Sequence, residues 1–143
     1  MPASSGPDLV GSSHFRVEID GLASATFAEC TGLGTSVEVV ELHEAGNPMP
    51  RKTPGRSHVN DITLRRAITQ SSELQQWHRK ILGGVPERRN GSVTLFDNAL
   101  APVARWNFTQ AFPRSWDGPH LNSTSNDIAM ETIVLSCEGI ERA

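Results

Sequence analysis

The stretch that decides the fold of this chain is RRNGSVTLFDNALAPVARWNFTQAF, residues 88–112. It predicts a β-hairpin whose first strand spans 91–96 and whose second strand spans 103–112. The turn between them, at 97–100, begins with Asp and Asn, whose side chains hydrogen-bond to nearby backbone groups. We therefore expect the rest of the chain to be organised around this hairpin.

The second predicted strand alternates between apolar and polar side chains with a period of two residues. One face carries Ala104, Trp106, Phe108 and Phe112, and the other carries Arg105, Asn107 and Thr109. This alternation is typical of a strand with one buried face. The apolar face is therefore predicted to pack in the core.

Length and charge limit the classes of protein that this chain can represent. Its 143 residues predict one domain, with 1–13 as a flexible lead and 14–143 as the folded part. The net charge is −3 without blocks of like charge, so we expect no nucleic-acid partner and no insertion into a membrane. The first residues lack the basic and apolar parts of a signal peptide, and no apolar run approaches the ~20 residues of a membrane span.

Five further strands are predicted from short apolar or alternating runs, and these lie at 14–20, 23–30, 35–42, 61–68 and 128–138. The run at 35–42 has apolar residues on both faces, which indicates that one face is core and the other meets a neighbour. The segments 44–60 and 113–127 are rich in Pro, Gly and polar residues and are predicted to be irregular. A loop as long as the first of these is usually functional.

One helix is predicted, beginning after Ser71 or Ser72 and ending at Gly83-Gly84. Its apolar residues recur at helical spacing and should pack on a sheet. About seven strands and one helix predict a mainly β fold, a small antiparallel β-barrel or sandwich with an external helix. The predicted core residues are Leu74, Trp77, Ile81, Trp106 and Phe108.

The residue types that carry chemistry form no recognisable site. The five histidines lack the spacing of a metal-binding motif, and the sequence has neither a nucleophile elbow nor a phosphate-binding loop. Cys30 and Cys137 are expected to be buried, reduced thiols, since a bridge would need neighbouring strands and an oxidising compartment. We predict no catalytic, metal-binding or cofactor-binding residue, and no enzyme activity.

Three stretches carry a family resemblance through their order and spacing. They are FRVEIDGLASATFAECTGLGTSVEVVELHEAGN at 15–47, PGRSHVNDITLRRAITQSSELQQW at 54–77, and RRNGSVTLFDNALAPVARWNFTQAFPRSWDGPHLNSTSNDIAMETIVLSCEGIER at 88–142. Together they resemble the tail tube proteins of contractile injection systems, the gp19- and Hcp-like family of phage-tail-like particles. The resemblance covers nearly the whole chain.

The resemblance implies a structural subunit of the inner tube. In this family six subunits close into a ring, and stacked rings enclose a lumen that is driven through a target envelope when the sheath contracts. The implied partners are further copies of the chain, sheath subunits, the baseplate and the tube cap, with protein cargo in the lumen. The implied location is the bacterial cytoplasm during assembly, and then an extracellular or membrane-anchored particle.

The same resemblance implies that the predicted loop at 44–60 forms a contact between rings. The candidate subunit contacts are Glu44, Asn47, Pro48, Arg51, Lys52, Pro54 and Arg56 on this loop, with Arg105 and Asn107 facing the lumen or a neighbouring subunit. Other interpretations remain open at this stage. These are a tube-initiator paralogue at the baseplate, a monomeric ligand-binding β-barrel, and a hydrolase whose site is assembled from distant loops.

Overall fold

The computed structural model describes residues 9–22 and 26–143. Within these residues the chain forms nine strands and one helix. The strands are β1 (Phe15–Ile19), β2 (Glu29–Thr31), β3 (Thr35–Leu42), β4 (Arg51–Val59), β5 (Ile62–Ala67), β6 (Arg89–Phe96), β7 (Pro102–Asp117), β8 (Met130–Ser136) and β9 (Gly139–Arg142), and the helix is α1 (Glu73–Leu82). The mainly β prediction with one helix is confirmed.

Strand β7 is the strand that joins the two halves of the body. Its first half pairs with β6 on one side and with β9 on the other, and its second half pairs with β8. The antiparallel order is β1-β6-β7-β8-β5-β2, and no pairing between the end strands β1 and β2 closes this sheet within the described residues. The body is therefore an open, strongly bent sheet, and the β3–β4 pair forms a separate two-stranded sheet.

A bulge in β7 interrupts the alternation of buried and exposed side chains that was predicted for the second strand of the central hairpin. The pairing register shifts between the partners of Arg89 and Gly91, and Gln110 has φ 52°. The backbone N–H of Gln110 donates to Oδ1 of Asn90 at 2.9 Å. Because one extra residue is accommodated here, the buried side changes from Phe108 to Ala111.

Phe112 consequently does not share a face with Phe108, contrary to the sequence prediction. It is partly exposed, and the guanidinium of Arg88 lies 5.6 Å from its ring centroid. β7 also continues to Asp117, so the prediction of a loop from residue 113 was wrong. The strand persists because residues 112–117 pair with β8.

The core lies between the bent sheet and the helix. Its fully buried larger side chains include Trp77, Phe108, Ile62, Leu64, Leu74, Ile133 and Leu135. The indole Nε1 of Trp77 donates to the Glu87 carbonyl at 2.7 Å, which fixes the chain that leaves the helix. Of the other predicted core residues, Trp106 is partly buried against the core, and Ile81 is only half-buried at the helix edge.

Several element predictions differ from the structure at their ends. The predicted strand at 23–30 contains β2 only at its end, and residues 23–25 lie outside the described residues, as do 1–8 of the predicted lead. The predicted strand at 128–138 is β8, which ends at Ser136, and residues 139–142 form a further strand, β9, that was not predicted. This strand was missed because it is only four residues long and half of it is charged.

The largest correction concerns residues 44–60, predicted as an irregular loop. Residues 51–59 form β4, which pairs with β3 from Thr35↔Val59 to Leu42↔Arg51. The register shifts between Val37 and Val39, so Gly55 and Arg56 together face Glu38. Pro54 is tolerated because β4 has no second neighbour among the described strands to which an N–H at this position would donate.

Candidate assembly surface

The β3–β4 hairpin, residues 35–59, is here called the hairpin arm. Among the described residues, its two strands pair only with each other. Every residue of both strands is exposed except Val59, which is partly buried. A two-stranded hairpin is at best marginally stable in water by itself, so this arm is the part of the described chain that most needs a partner.

The root of the arm is fixed tightly to the body. Gly32 has φ +92°, and a Cβ at this position would lie 1.9 Å from the Asp61 carbonyl oxygen. The Asn60 N–H donates to the Gly34 carbonyl at 3.0 Å and closes the base of the hairpin. Only glycine fits at the first of these positions, because both its backbone conformation and the close approach exclude a side chain.

The two faces of the arm both carry apolar side chains. Paired residues of an antiparallel ladder share a face, so Val37, Val39 and Pro54 lie on one face, and Val40 and Leu42 lie on the other. The exposed fractions are 50% for Val37, 61% for Val39, 42% for Val40 and 51% for Leu42. The sequence prediction placed one of these faces in the core, and this is wrong because neither face is covered by the body.

Two pairs of charged or titratable side chains contact each other on the arm. His58 Nε2 lies 2.9 Å from Glu38 Oε1, and Arg51 Nη1 donates to Glu44 Oε1 at 3.2 Å near the tip. The paired side chains remain about half exposed or more, so the arm offers a partner both apolar side chains and paired charges.

The structure brings together the predicted contact residues of the loop and separates the other two. Glu44, Asn47, Pro48, Arg51, Lys52, Pro54 and Arg56 all lie on the arm or its turn. Arg105 and Asn107 lie on β7, where Arg105 Nε donates to Asn107 Oδ1 at 2.9 Å. Asn47 has a local role as well, because its Oδ1 accepts from the Met49 N–H at 3.0 Å and shapes the turn.

Sequence analysis expected one face of the run at 35–42 to meet a neighbour, but it named none of the exposed apolar side chains of the arm as contact candidates: Val37, Val39, Val40, Leu42 and Met49. Their signal was present as apolar residues at consecutive positions of β3. A strand that is apolar on both sides and still lacks a core position indicates an intermolecular contact, but exposure cannot be read from spacing alone.

A cleft of about 360 Å³ opens beside the root of the arm and is lined mainly by apolar side chains, including Phe15, Cys30, Leu33, Leu95 and Trp106. In the described part of the chain, no group of three His, Cys, Asp or Glu side chains is placed to hold a metal ion. Among the same residues, no helix has the length and apolar character needed to cross a membrane.

Cys30 is a free thiol in this cleft, and burial raises its pKa to about 11. Since the thiolate is the reactive form, we expect alkylation at pH 8 to be roughly 100-fold slower than that of an exposed cysteine, whose pKa is about 8.5. The rate should rise about tenfold per pH unit up to pH 10. The measurement is iodoacetamide labelling of the Cys137→Ser variant, and a rate that levels off below pH 9 would contradict the burial argument.

Comparison with known proteins places this geometry in a family. The family model described as "T4-like virus tail tube protein gp19" matches residues 11–141. No curated protein matches the chain.

Solved structures of the same fold come from contractile injection systems. A chain of an extracellular contractile injection system, in the PVC sheath–tube complex in its extended state, is 28% identical with a TM-score of 0.84, and the alignment covers 94% of this chain and 91% of that one. A chain of the anti-feeding prophage baseplate, 6-fold symmetrised, has 21% identity, a TM-score of 0.85, and coverage of 98% and 97%.

A protein with lower sequence identity and a lower TM-score also has a similar fold. Hcp1 from Flavobacterium johnsoniae is 19% identical with a TM-score of 0.59, and the alignment covers 90% of this chain and 93% of that one. The match to the family model spans nearly all of the folded chain, including the hairpin arm. The chain therefore belongs to the family of the T4-like virus tail tube protein gp19 and is a tail tube protein of contractile injection systems.

Proposed function

We propose that this chain is the bulk subunit of an inner tube, in which six copies close into a ring and rings stack around a lumen. The observation that carries the proposal is the hairpin arm, whose apolar faces are exposed in the single chain. A stable monomer rarely exposes such a patch without an interaction partner. Self-assembly would cover the arm and would also pair the open sheet edges of β1 and β2.

The similar structures support the choice of partners. They come from a sheath–tube complex, a sheath/tube terminator, a baseplate with 6-fold symmetry and a tube-terminating cap. We propose the same neighbours for this tube: a surrounding sheath, a baseplate at one end and a cap at the other. The subunit would be made and assembled in the bacterial cytoplasm, and it would act as a structural element of an extracellular particle, without enzyme activity.

The predicted contact residues take specific places in this proposal. Glu44, Asn47, Pro48, Arg51 and Lys52 would lie between rings because they occupy the tip and outer part of the projecting arm. Pro54 and Arg56 would join this contact from the part of β4 nearer the root. Arg105 and Asn107 would face the lumen or a neighbouring subunit from β7. The lumen would carry protein cargo.

A tube initiator at the baseplate is the second candidate, because the anti-feeding prophage baseplate contains a chain of the same fold. Electron microscopy of the concentrated, purified protein distinguishes the candidates. We expect six-fold rings and tubes of varying length from the bulk subunit. Single rings that never lengthen would indicate the initiator. A protein that stays monomeric at every concentration tested, with a small ligand in the cleft beside the arm root, would contradict both.

A further inference from the structure

The sequence contains one Asn-Gly pair, Asn90–Gly91, near the start of β6. An asparagine followed by glycine is chemically labile, because glycine has no side chain that hinders its backbone nitrogen from attacking the asparagine side chain. The other asparagines of the chain precede larger residues, or proline in the case of Asn47. Asn90 is therefore the asparagine with the highest intrinsic tendency to lose its amide group.

The fold requires both residues of this pair. A Cβ at Gly91 would lie 2.3 Å from Cζ of Phe108 and 2.5 Å from the Glu18 carbonyl oxygen, so no side chain fits there. Oδ1 of Asn90 accepts the backbone N–H of Gln110 at 2.9 Å and holds the bulge of β7. The labile pair is thus a consequence of packing and bonding within the sheet, and a substitution that removed it would cost stability.

Loss of the amide group proceeds through a cyclic imide. The Gly91 backbone nitrogen forms a bond to Cγ of Asn90, the bond from Cγ to Nδ2 breaks, and Nδ2 leaves as ammonia with the proton of the Gly91 N–H. One water molecule then opens the imide. Cleavage at the Cγ carbonyl gives aspartate, whereas cleavage at the main-chain carbonyl gives isoaspartate, in which the chain continues through Cγ. No atom is oxidised or reduced, and water is the sole co-reactant.

The folded chain holds these atoms in an arrangement that prevents the first step. For the Gly91 nitrogen to reach Cγ, the bond between Cα and the carbonyl carbon of Asn90 must rotate away from the extended conformation. The Asn90 carbonyl accepts the Asp20 N–H at 2.9 Å, and Gly91 is paired in the ladders with both β1 and β7. The rotation would break this pairing, and the hydrogen bond from Gln110 holds the Asn90 side chain in place as well.

Burial does not explain this protection. Asn90 is exposed and Gly91 is only partly buried, so water reaches the amide group in the folded chain. The protection comes from strand pairing and ends when β6 separates from its neighbours. Because β6 has a paired strand on each side, we expect it to open only with a free energy close to that of global unfolding.

We propose that Asn90 is a deamidation site whose reactivity is controlled by the fold: its amide group persists while β6 is paired and is lost while the chain is unfolded. The two products have different consequences. Aspartate retains an oxygen that can accept the N–H of Gln110, so it fits the bulge. Isoaspartate lengthens the main chain by one carbon and shifts β6 against both neighbours. A chain that stays unfolded for long therefore acquires a backbone that does not fit this sheet.

Peptide mapping by mass spectrometry measures how strongly pairing slows the reaction. The protein is kept at pH 8 either folded or in guanidinium chloride and is digested at intervals, with the sample at time zero as the baseline. We expect deamidation of Asn90 to be at least about 100-fold slower in the folded chain. Asn122 is the matched control in an exposed loop. Its Oδ1 accepts hydrogen bonds from Thr124, two residues away, so its rate should differ between the two states by about tenfold at most.

Two results of this experiment would overturn the proposal. One is a ratio of unfolded to folded rates that is no larger for Asn90 than for Asn122, because pairing would then give no protection. The other is a rate for Asn90 in guanidinium chloride that does not exceed the rate for Asn122, because Asn90 would then not be the labile asparagine. Neither result depends on whether the protein forms tubes, since the inference concerns contacts within one chain.

A refolding experiment tests the different consequences of the two products. Unfolded protein is aged until part of Asn90 has reacted, the denaturant is diluted, and the folded fraction is separated by size-exclusion chromatography. Both products arise from the same imide, so their ratio before refolding is the internal reference. Isoaspartate at position 90 should be depleted at least about tenfold in the folded fraction, whereas isoaspartate formed from Asn122 should not be depleted. Equal recovery of the two products at position 90 would contradict the proposed effect on β6.

Two variants isolate the role of the acceptor at position 90. Asn90→Asp supplies the aspartate product in pure form and should unfold at the same denaturant concentration as the unmodified protein. Asn90→Ala lacks an acceptor for the Gln110 N–H and should unfold at a lower concentration. Equal unfolding midpoints for the two variants would show that aspartate does not replace Asn90 at the bulge.

Discussion

Replacing residues 40–53 with an Asn-Gly turn is expected to leave the body folded and to abolish tube formation. The replaced residues form the outer part of the hairpin arm, and every one of them is exposed or partly exposed. Val39 and Pro54 are directly opposite in the ladder, so a two-residue turn can join them. Because no core contact is removed, the free energy of unfolding should change by less than about 1 kcal/mol.

The measurement combines denaturant unfolding with sedimentation and electron microscopy. All three tryptophans, Trp77, Trp106 and Trp116, lie in the body, so their fluorescence reports folding of the body without interference from the arm. Loss of tubes together with an unchanged unfolding transition is the expected result. Long tubes of the shortened chain would show that the arm is not required between subunits.

Replacing Glu131 with alanine is expected to destabilise the subunit by about 3–5 kcal/mol, because it leaves the buried guanidinium of Arg66 without its counter-charge. Arg66 Nε donates to Glu131 Oε1 at 3.0 Å, and the two side chains are only 7% and 4% exposed. The Nη2 atom of Arg66 has no hydrogen-bond partner among the described residues. The guanidinium also lies 5.7 Å from the ring centroid of Phe27, so it cannot easily turn to water.

The neighbouring exposed pair provides a matched control. Arg65 Nη1 lies 3.2 Å from Glu29 Oε2, and both side chains are about half exposed. Arg65→Ala should cost less than about 1 kcal/mol, since exposed ion pairs contribute little. Denaturant unfolding of both variants measures the difference, and similar losses for the two would contradict the burial argument.

The double variant Arg66→Met/Glu131→Leu should recover most of the stability lost in Glu131→Ala. A buried ion pair can often be replaced by apolar side chains of similar volume without loss. The pair is directly opposite in the β5–β8 register, so the replacements would contact each other at the end of the core. If the double variant is as unstable as Glu131→Ala, the cost comes from lost packing and not from an unpaired charge.

The half-buried elements of this protein could be predicted from sequence because burial of one face imposes a period. Val17 and Ile19 in β1, and Ile133 and Leu135 in β8, alternate with more exposed residues as expected. Leu74 and Trp77 show the helical equivalent on α1. In each case the apolar side of the element faces one core, so a local pattern contains the required information.

The elements that were predicted wrongly or not predicted at all have no such period of apolar and polar residues. β4, RKTPGRSHV, is exposed along nearly its whole length. Its strand conformation depends on pairing with β3, and this pairing produces no alternation of apolar and polar residues in the sequence of β4. The bulge at Gln110 depends on the Asn90 side chain of the neighbouring strand. Both features depend on contacts with a partner strand, and a short stretch of sequence does not show which strand will be its partner.

For the central stretch 88–112, the sequence by itself determined the two strands, the turn and the apolar side of Ala104, Trp106 and Phe108. Its order with the flanking stretches also determined the family. Only the tertiary structure decided that the hairpin arm stands away from the body and that Phe112 turns from the core. The physical reason is that sequence patterns record which side chains avoid water, whereas the three-dimensional arrangement decides whether the same chain or another copy covers them.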